Sequence, residues 1–395
     1  MTTKIVVIGG CGHVGLPLAM AFADRGCSVV SYDINPEAVK LVNSGKMPFL
    51  EPDADEVMAR IRKSGTFSAS TDPAVISEAE VLIVVIGTPV DEHLNPDAEA
   101  VPNAVAQLGP YLRKGQLLVL RSTVYPGVTS LVERRMREMG HDIELAFCPE
   151  RIAEGKAFTE LFDLPQIVSA TSDNALTRAK ELFLKLTDQV VETTPEEAEL
   201  AKLFTNTWRY IKFAAANQFF TIANDFGLDF ARIRHAITFD YPRAQDMPGP
   251  GFAAGPCLFK DTMQLAAFNN NNFMLGHSSM MVNEGLPLYI VSKLEEKHDL
   301  SQITVGILGM AFKSESDDIR SSLSYKLRRI LKFKAKEVLC ADEYVTSDTS
   351  LLPLEQVIEK SDIIIIGSPH QQYKNLKISK PTVDVWNILG NGTLV

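Results

Sequence analysis

The sequence has few cysteines and no long apolar run, and each shortage excludes a class of protein. Five cysteines stand far apart in 395 residues without a CxxC pair, which argues against a disulfide framework and a zinc site. Seven scattered histidines show no metal-ligand spacing, so we expect no metal. No run approaches the ~18 apolar residues of a membrane span, so no membrane partner is expected. The first expected strand begins at Lys4, which leaves no room for a signal peptide and favours a cytoplasmic location.

Basic residues are also in the minority, and this limits the possible partners. The 39 Lys and Arg against 49 Asp and Glu give a net charge of -10, which argues against binding of nucleic acid. An acidic ligand must therefore be met by local lysines, arginines and backbone amides. The length allows two or three domains with a sizeable core.

A glycine-rich turn follows the first expected strand. The expected order is a strand at 4–8, the turn GGCGHVG at 9–15, a helix at 16–25 and a strand at 28–32. Gly10 permits the tight turn, Gly12 lets the backbone approach a pyrophosphate, and Gly15 lets helix and strand pack closely. Amides at the helix N-terminus, including those of His13 and Val14, would hold the phosphates.

Asp33 ends the second strand and predicts which dinucleotide is bound. A carboxylate there can accept hydrogen bonds from both ribose hydroxyls and would repel a 2′-phosphate. The sequence therefore predicts NAD rather than NADP as the cofactor. The alternative is a glycine-rich turn without a ligand, which the order of strand, glycines, helix, strand and acid disfavours.

Further buried parallel strands are expected, and the loops after them are site candidates. The apolar runs lie at 81–86, 117–120 and 145–147, and the loops after them at 87–89, 121–124 and 148–151. Ligands of such sheets bind at the carboxyl ends of the strands. Thr88 and Ser122 are accordingly assigned to the cofactor.

A long helix is expected from Pro195 to about Phe226. Thr194 and Glu197 form a capping box, and Gly227 ends the helix. At roughly 45 Å it is long enough to join two domains and to pack against a second subunit. Four polar residues recur along it at three- and four-residue steps: Glu199, Lys202, Asn206 and Arg209. This stripe lines a site or is a solvated face, and periodicity alone leaves both interpretations open.

One cysteine is presented by a loop of glycines and prolines, GPGFAAGPCLFKD at 249–261. If the chain turns helical after Pro256, Lys260 and Asp261 lie on the same side as Cys257. A helix N-terminus and a nearby ammonium both favour thiolate, which is the nucleophilic form. The alternative is that Cys257 is a small buried hydrophobic residue.

The rest of the chain predicts a helical segment followed by a second α/β pattern. Residues 230–284 are mostly helical, with an exposed turn at 269–272, and a second helix is expected from about Leu286 to Lys297. Strands follow at 303–308, 338–340, 363–366 and 383–385. The turn at 309–313 lacks the full GxGxxG, so it binds a nucleotide differently or only packs. The predicted fold class is α/β, with two doubly wound Rossmann-like domains joined by a central helical domain containing one long spine helix.

Taken together, the motifs resemble the UDP-glucose/GDP-mannose dehydrogenase family over essentially the whole chain. They are GCGHVG from Gly10, Asp33, GTP from Gly87, STVYPGVT from Ser122, PERIAEG from Pro149, AELAKLFTN from Ala198, GPCLFKD from Gly255 and GMAFKSESDDIR from Gly309. The resemblance implies an NAD domain at 1–194, a dimer-forming helical domain with the cysteine at 195–298 and a nucleotide-sugar domain at 299–395. It also implies a homodimer that oxidises a sugar C6 alcohol to a carboxylate with two NAD.

The resemblance implies a role for each candidate site residue. Cys257 is the nucleophile that forms a thiohemiacetal and then a thioester, Lys202 an acid/base or oxyanion-stabilising residue, and Asn206 a holder of the oxyanion or the water. Other candidates lie near the reacting carbon or its water: Thr123, Glu150 and Asp261. Two would approach the NAD: Glu154 and Arg320. The candidates for the nucleotide-sugar are Arg151, Arg209, Arg243 (in this or the neighbouring subunit), Gly251, Gly255, Lys260, Phe312 and Lys313.

Two departures from the family pattern affect the expected substrate. Ala253-Ala254-Gly255-Pro256 precedes the cysteine where G-G-x-C is usual, which narrows the loop. Trp386 stands where an arginine is common, so a charge contact to the substrate is missing or supplied otherwise. PERIAEG, NTWRY and PGPG resemble members acting on UDP-N-acetylhexosamines, whereas LFKD resembles those acting on UDP-glucose. The choice between these substrates stays open.

Two other classes of function remain. One is a two-electron dehydrogenase of the β-hydroxyacid type, against which GPCLFKD and residues 303–395 weigh. The other is a non-catalytic protein that binds NAD or a sugar nucleotide, against which Cys257, Lys202, Asn206 and Asp261 weigh. The NADH formed per sugar separates the three: two, one or none.

Overall fold

The computed structural model describes residues 2–88, 90–91 and 97–395, and Pro89 of the expected site loop lies outside them. The chain divides into two compact units, Met1–Phe204 and Thr205–Val395. Each unit contains one mainly parallel sheet with helices, so the predicted α/β class with two doubly wound sheets and a long helix is confirmed. The division into 1–194, 195–298 and 299–395 stays a prediction.

The first unit is built on an eight-stranded sheet. Its strands are β1 Lys4–Ile8, β2 Ser28–Tyr32, β3 Phe67–Ser70, β4 Val81–Val84, β5 Leu117–Leu120, β6 Glu144–Phe147, β7 Gln166–Ala170 and β8 Val190–Glu192. Their order is β3-β2-β1-β4-β5-β6-β7-β8, and every neighbouring pair is parallel except β6 and β7. The apolar strands β4 and β5 are buried along their whole length, as a sheet covered on both faces requires.

Among the described residues of the first unit, seven helices connect these strands. They are α1 Gly15–Asp24, α2 Pro36–Asn43, α3 Ala54–Ser64, α4 Ala100–Leu108, α5 Val128–Glu138, α6 Ala157–Asp163 and α7 Asp173–Phe183, with 3₁₀ turns at Pro73–Glu78 and Gly109–Tyr111. The fully buried face of α1, rich in Leu, Met, Ala and Phe, packs on the sheet. This packing fixes where the N-terminus of α1 lies relative to the end of β1.

The long helix α8 runs from Pro195 to Asp225, as predicted. Its capping box is present, because the N–H of Thr194 donates to Glu197 and the N–H of Glu197 donates to Thr194 Oγ1. Gly227 follows the helix with φ +68°, which favours glycine. Three members of the polar stripe are buried, Glu199, Lys202 and Asn206, whereas Arg209 is exposed. A solvated face therefore describes only Arg209.

The second unit contains a four-stranded parallel sheet. Its elements are α9 Phe230–Thr238, α10 Leu258–Phe268, α11 Met274–Lys297, β9 Thr304–Leu308, α12 Leu323–Leu331, β10 Glu337–Ala341, α13 Leu354–Lys360, β11 Ile363–Ile366 and β12 Thr382–Val383, with 3₁₀ turns at Leu300–Gln302 and Gln371–Asn375. The strand order is β10-β9-β11-β12. In the described part of the chain, no helix is long and apolar enough to cross a membrane.

The prediction of a second helix beginning near Leu286 is wrong, because α11 is continuous through Pro287. Proline lacks the amide that would bond the carbonyl one turn earlier. Buried residues on both sides of the proline, among them Asn283, Leu286 and Ile290, pack the helix and outweigh that loss. The exposed turn at 269–272 is confirmed.

Candidate functional site

In the first unit, the turn at 9–15 requires glycine at three positions for its own packing. A Cβ on Gly9, Gly10 or Gly15 would lie 2.0, 2.6 or 2.3 Å from a backbone oxygen. A Cβ on Gly12 would meet only one atom, at an ordinary 3.6 Å. Internal packing therefore does not explain Gly12, which agrees with the prediction that a pyrophosphate approaches the backbone there.

The N-terminus of α1 suits a phosphate. Its N-cap residue, Val14, provides no side-chain hydrogen bond, whereas Asn35 at the start of α2 accepts two backbone N–H bonds. Amide hydrogens at such a helix end bind anions, and the helix dipole adds to the attraction. The turn and helix together fit the phosphates of a dinucleotide.

Asp33 fits the ribose position that the sequence predicts. Its Oδ2 accepts the N–H of Cys11 and its Oδ1 the N–H of Asn35, both at 3.0 Å. Each carboxylate oxygen has a second lone pair, so acceptors remain for ribose hydroxyls. Ile34 beside it is 85 % exposed, and sequence reasoning missed this apolar side chain, although its place directly after the acid was visible. The turn, the helix end and Asp33 would hold NAD.

Other cofactor candidates of the first unit lie at the carboxyl ends of the strands. His13 stacks on Phe49 with ring centres 4.1 Å apart, and its Nε2 is 3.7 Å from Glu154 Oε1. Hydrogen bonds join the loops that follow β4 and β5. The N–H of Ile86 donates to Ser122 Oγ at 2.8 Å, and Thr88 Oγ1 donates to the carbonyl of Thr123 at 2.7 Å. The structure thus brings Thr88, Ser122 and Thr123 together, and likewise His13 and Glu154.

Glu150 is held in a buried ion pair that sequence reasoning missed. Arg121 donates to its Oε2 from Nε and Nη2 at 2.9 and 2.6 Å. Its Oε1 accepts the N–H groups of Arg151 and Ile152 at 2.8 and 3.0 Å. These bonds fix the loop after β6, and water activation by Glu150 stays a prediction. The Arg151 guanidinium donates to the carbonyl of Pro165 in the same unit.

In the second unit, Cys257 differs from the other four cysteines. It is exposed and occupies the N-cap position of α10, where no side chain caps the helix. The others are buried, and burial raises the pKa of Cys11 and Cys148 to about 12, that of Cys340 to about 11, and that of Cys27 above its usual value. Those four thiols are therefore poor nucleophiles, whereas the helix end favours an anion at Cys257.

Asp261 links three predicted residues in one charged cluster. Its N–H donates to the carbonyl of Cys257 at 2.9 Å, which places it one helical turn later. Its buried Oδ2 accepts from Asn206 Nδ2 at 2.5 Å, and Lys260 Nζ lies 3.3 Å from Oδ1. An amide nitrogen carries two hydrogens, so Asn206 keeps one for an oxyanion. Oδ1 is buried and, within the described residues, has the Lys260 ammonium beside it but makes no hydrogen bond.

The loop before Cys257 requires glycine at both predicted positions. Gly255 has φ +100°, and a Cβ there would lie 2.7 Å from the ring of Phe312. Gly251 has φ +148°, and its Cβ would lie 2.2 Å from the ring of Trp386. Trp386 also meets Phe252 edge-on at 6.4 Å, so the residue that departs from the family pattern packs against the cysteine loop.

Two buried asparagines missed by sequence reasoning hold this loop. Asn217 on α8 accepts the N–H of Gly251 at 2.8 Å and donates to its carbonyl at 3.0 Å. Its Nδ2 also donates to Asn283 on α11 at 2.9 Å. Gln218 and Glu284 directly follow these asparagines and are as polar as they are, so the sequence offered no local signal that Asn217 and Asn283 are buried. Their bonds fix one end of the loop that presents Cys257.

The remaining charged candidates of the second unit are more exposed. Lys313 Nζ lies 5.5 Å from the ring centre of Phe312. Arg320 donates hydrogen bonds from Nε and Nη2 to Asp318 Oδ2. Arg243 lies over the Tyr241 ring at 4.9 Å. Their contacts with a ligand stay predictions.

Comparisons with known proteins agree with this geometry. The UDP-glucose/GDP-mannose dehydrogenase family matches the chain through its NAD binding domain at residues 3–187, its central domain at 196–284 and its UDP binding domain at 306–391. A UDP-N-acetyl-D-mannosamine dehydrogenase of Pyrococcus horikoshii is 30% identical over 94% of this chain and 90% of its own. A UDP-N-acetyl-D-mannosamine dehydrogenase of Methanocaldococcus jannaschii is also 30% identical, over 94% of this chain and 87% of its own.

A solved structure supports the same assignment. A UDP-glucose dehydrogenase from Pyrobaculum islandicum superposes with a TM-score of 0.90 at 28% identity, covering 97% of this chain and 94% of that one. The family matches cover every strand except β8 and the start of β9, and nearly all of α8. The glycine turn with Asp33 fits the NAD that the first domain binds. The chain belongs to the UDP-glucose/GDP-mannose dehydrogenase family and is an NAD-dependent nucleotide-sugar dehydrogenase.

Proposed function

We propose that this protein oxidises the C6 alcohol of a UDP-linked hexose to the carboxylate, with Cys257 as a covalent nucleophile. The observation that carries the proposal is Cys257 itself: it is exposed at the start of α10, while Asn206, Lys260 and Asp261 form a charged cluster one turn later. A UDP-N-acetylhexosamine is the favoured substrate, since two relatives at 30% identity are named for UDP-N-acetyl-D-mannosamine. UDP-glucose is the second candidate, supported by the Pyrobaculum structure.

The residues of the chain suit the steps at the sugar carbon. NAD, when bound at the turn and Asp33, supplies a hydride acceptor for each of the two oxidations. Cys257 Sγ adds to the aldehyde carbon, and the carbonyl oxygen takes a proton to give a thiohemiacetal. Loss of a hydride from that carbon to the acceptor, together with loss of the proton from its hydroxyl group, leaves a thioester. Water then adds to the thioester carbon, the C–S bond breaks, and Cys257 returns as the carboxylate leaves.

Donors and acceptors around Cys257 have distinct roles in this scheme. The remaining Asn206 N–H stabilises the oxyanion of each tetrahedral species, and Lys202, one turn earlier on α8, supplies a positive charge or a proton. Asp261 Oδ1 takes a proton from the attacking water. This acceptor is preferred to Glu150, whose oxygens each accept two hydrogen bonds within the first unit.

A substrate screen tests the proposal. UDP-glucose, the UDP-N-acetyl derivatives of glucosamine, galactosamine and mannosamine, and GDP-mannose are each incubated with the enzyme and excess NAD. We expect two NADH per sugar and a uronic acid with one UDP-N-acetylhexosamine. One NADH per sugar with an aldehyde product would identify a two-electron dehydrogenase, and no NADH with any sugar would contradict the proposal.

We also propose that the protein forms a homodimer in the cytoplasm. Several large apolar side chains of α8 and the region after it are exposed, among them Trp208, Phe219, Ile222, Phe226 and Phe239. Three of these, Phe219, Ile222 and Phe226, border a cavity of about 340 Å³ in the second unit together with Ile233 and Ile237. An exposed apolar surface of this kind suits a second copy of the chain. Light scattering tests this: wild type should have twice the monomer mass, and Phe226→Asp the monomer mass.

A further inference from the structure

The turn after β9 uses its amide hydrogens inside the protein. Gly309 begins it with φ +89°, and a Cβ there would lie 2.6 Å from the backbone of Ser368. The N–H groups of Met310 and Ala311 both donate to Asp342 Oδ2, at 2.6 and 2.8 Å. This turn therefore cannot offer those two amides to a phosphate. In this respect it differs from a phosphate-binding GxGxxG turn.

Asp342 is buried, and both of its carboxylate oxygens have hydrogen-bond partners within the protein. Its Oδ1 accepts the N–H groups of Tyr344 and Val345 at 2.9 and 3.3 Å, and His370 Nε2 lies 3.0 Å from Oδ2. Burial would raise the pKa of Asp342, but the hydrogen bonds that it accepts from His370 and from the backbone outweigh burial and lower that pKa. The carboxylate is thus held ionised by its neighbours.

The second nitrogen of His370 fixes its tautomer and reaches another segment. Nδ1 is 3.0 Å from the backbone nitrogen of Glu315, and a backbone N–H can only donate. Nδ1 therefore carries no hydrogen, so Nε2 carries one and donates to Asp342. The ring is fully buried between Tyr344 and Tyr373, with centres 4.7 and 5.2 Å away. His370 connects the acid of one loop with the backbone of another.

The segment that His370 reaches begins with two substrate candidates. Phe312 donates its N–H to the carbonyl of Asp318 at 3.0 Å, which closes a loop at 312–318. Glu315 lies in the middle with φ +49°, an uncommon conformation for a residue with a side chain. Its Oε1 accepts the N–H of Gln371 at 2.6 Å. The loop is therefore attached to 370–371 at Glu315, next to Phe312 and Lys313.

We propose that His370, as a neutral ring with its hydrogen on Nε2, is a positioning residue that holds loop 312–318 so that Phe312 and Lys313 meet the nucleotide-sugar. The inference rests on the proposed function, since the two residues matter only if that substrate binds there. His370 itself contacts neither the substrate nor the reacting atoms. Its effect should therefore fall on substrate binding and leave the chemical steps and NAD binding unchanged.

Two amide substitutions separate the two hydrogen bonds of the ring. His370→Gln places an N–H group near the position of Nε2 but provides no acceptor for Glu315. His370→Asn places an oxygen near the position of Nδ1 but provides no donor to Asp342. We expect the glutamine variant to raise KM for the nucleotide-sugar about tenfold, since a buried donor loses its acceptor. Its kcat and its KM for NAD should stay within about twofold, and the asparagine variant should keep KM within about threefold.

Outcomes of this experiment separate positioning from general structure. Equal changes in both variants, or a rise in KM for NAD, would overturn the proposal, as would an unchanged KM in His370→Gln. His298→Gln, at the end of α11, serves as the matched control and should change nothing. If His370→Gln does not fold, Glu315→Ala is measured instead, because it removes the bond to Gln371 and leaves the bond from the Glu315 N–H to His370 as the attachment of the loop. A KM for the nucleotide-sugar within about threefold of wild type supports the inference, and a rise of about tenfold would show that the Gln371 bond holds the loop and would refute it.

A failure of the proposed function can be distinguished from a failure of the positioning role of His370. If the wild-type protein oxidises no nucleotide-sugar, the proposed function fails, and calorimetric binding of UDP to the same variants then decides. Affinity for UDP about tenfold weaker in His370→Gln than in His370→Asn supports the positioning role. Equal affinities contradict it.

Discussion

The turn after β1 and the turn after β9 share one backbone design and differ in where their hydrogen bonds go. In both, a glycine with positive φ donates its N–H to the end of the neighbouring strand at 2.9 Å, Gly9 to Tyr32 and Gly309 to Ala341. An aspartate follows that strand end in each case. Asp33 is partly exposed and accepts two N–H bonds, whereas Asp342 is buried and accepts four, plus His370.

This difference shows that the strand–turn–acid arrangement alone does not make a cofactor site. What differs is how many lone pairs the acid keeps for a ligand, because the amides of Gly10, Cys11 and Gly12 in the first turn are also bonded within the protein. Asp33 keeps lone pairs, and the family match assigns NAD to that domain. Asp342 uses its lone pairs internally, so we expect the UDP binding domain to recognise its ligand with other groups, such as the loop at 312–318.

Replacing each of the two acids by asparagine should change the free energy of unfolding by very different amounts. Asp342→Asn turns one side of a buried carboxylate into a donor that faces donors, so we expect a loss of about 3–5 kcal/mol in the free energy of unfolding. Asp33→Asn should cost less than about 1 kcal/mol, because water can replace its bonds. Urea denaturation of both variants measures the difference. Equal losses of unfolding free energy would show that the two acids contribute equally to stability and would contradict the comparison.

Asp33→Asn should instead change cofactor selectivity. The neutral amide no longer repels a 2′-phosphate, so the NAD-to-NADP ratio of kcat/KM should fall about 100-fold, the equivalent of about 2.7 kcal/mol. Initial rates with the two cofactors at saturating nucleotide-sugar measure this ratio. An unchanged ratio would mean that Asp33 does not contact the ribose.

Two glycines within the first turn should separate packing from ligand binding. Gly15→Ala puts a Cβ 2.3 Å from a backbone oxygen and should destabilise the protein by about 1–3 kcal/mol. Gly12→Ala meets only an ordinary contact and should change stability by less than about 1 kcal/mol, while KM for NAD rises severalfold. Thermal melts and NAD titrations of both variants distinguish them, and a reversed pattern would contradict the assignment of Gly12.

The smallest effect concerns pH and again separates the two acids. The pKa of Asp342 is lowered in the folded state, so its contribution to stability is present above the ordinary Asp pKa, about 3.9, and is lost as the pH falls. The stability difference between wild type and Asp342→Asn should therefore shrink below about pH 4. Denaturation curves from pH 3.5 to 7 test this, and a difference that grows toward low pH would give the wrong sign.

Local patterns made much of the fold and site predictable from the sequence. The glycine turn, Asp33 and the Thr194–Glu197 capping box each depend on residues a few positions apart or on one strand–helix unit. Contacts across many residues were not predictable, including the bonds of Asn217 to Gly251 and of His370 to Asp342. Nothing local to either partner identifies the other. The continuity of α11 through Pro287 was missed for the same reason, since packing with distant residues decides it.

The most direct test of the central claim compares the products of wild type and Cys257→Ser. With excess NAD, the wild-type enzyme should form two NADH and one carboxylate per nucleotide-sugar. Serine has no low-pKa thiolate and its ester hydrolyses slowly, so the variant should form acid at least about 1,000-fold more slowly while its NAD affinity is unchanged. A normal yield of carboxylate from Cys257→Ser would show that this cysteine is not the nucleophile.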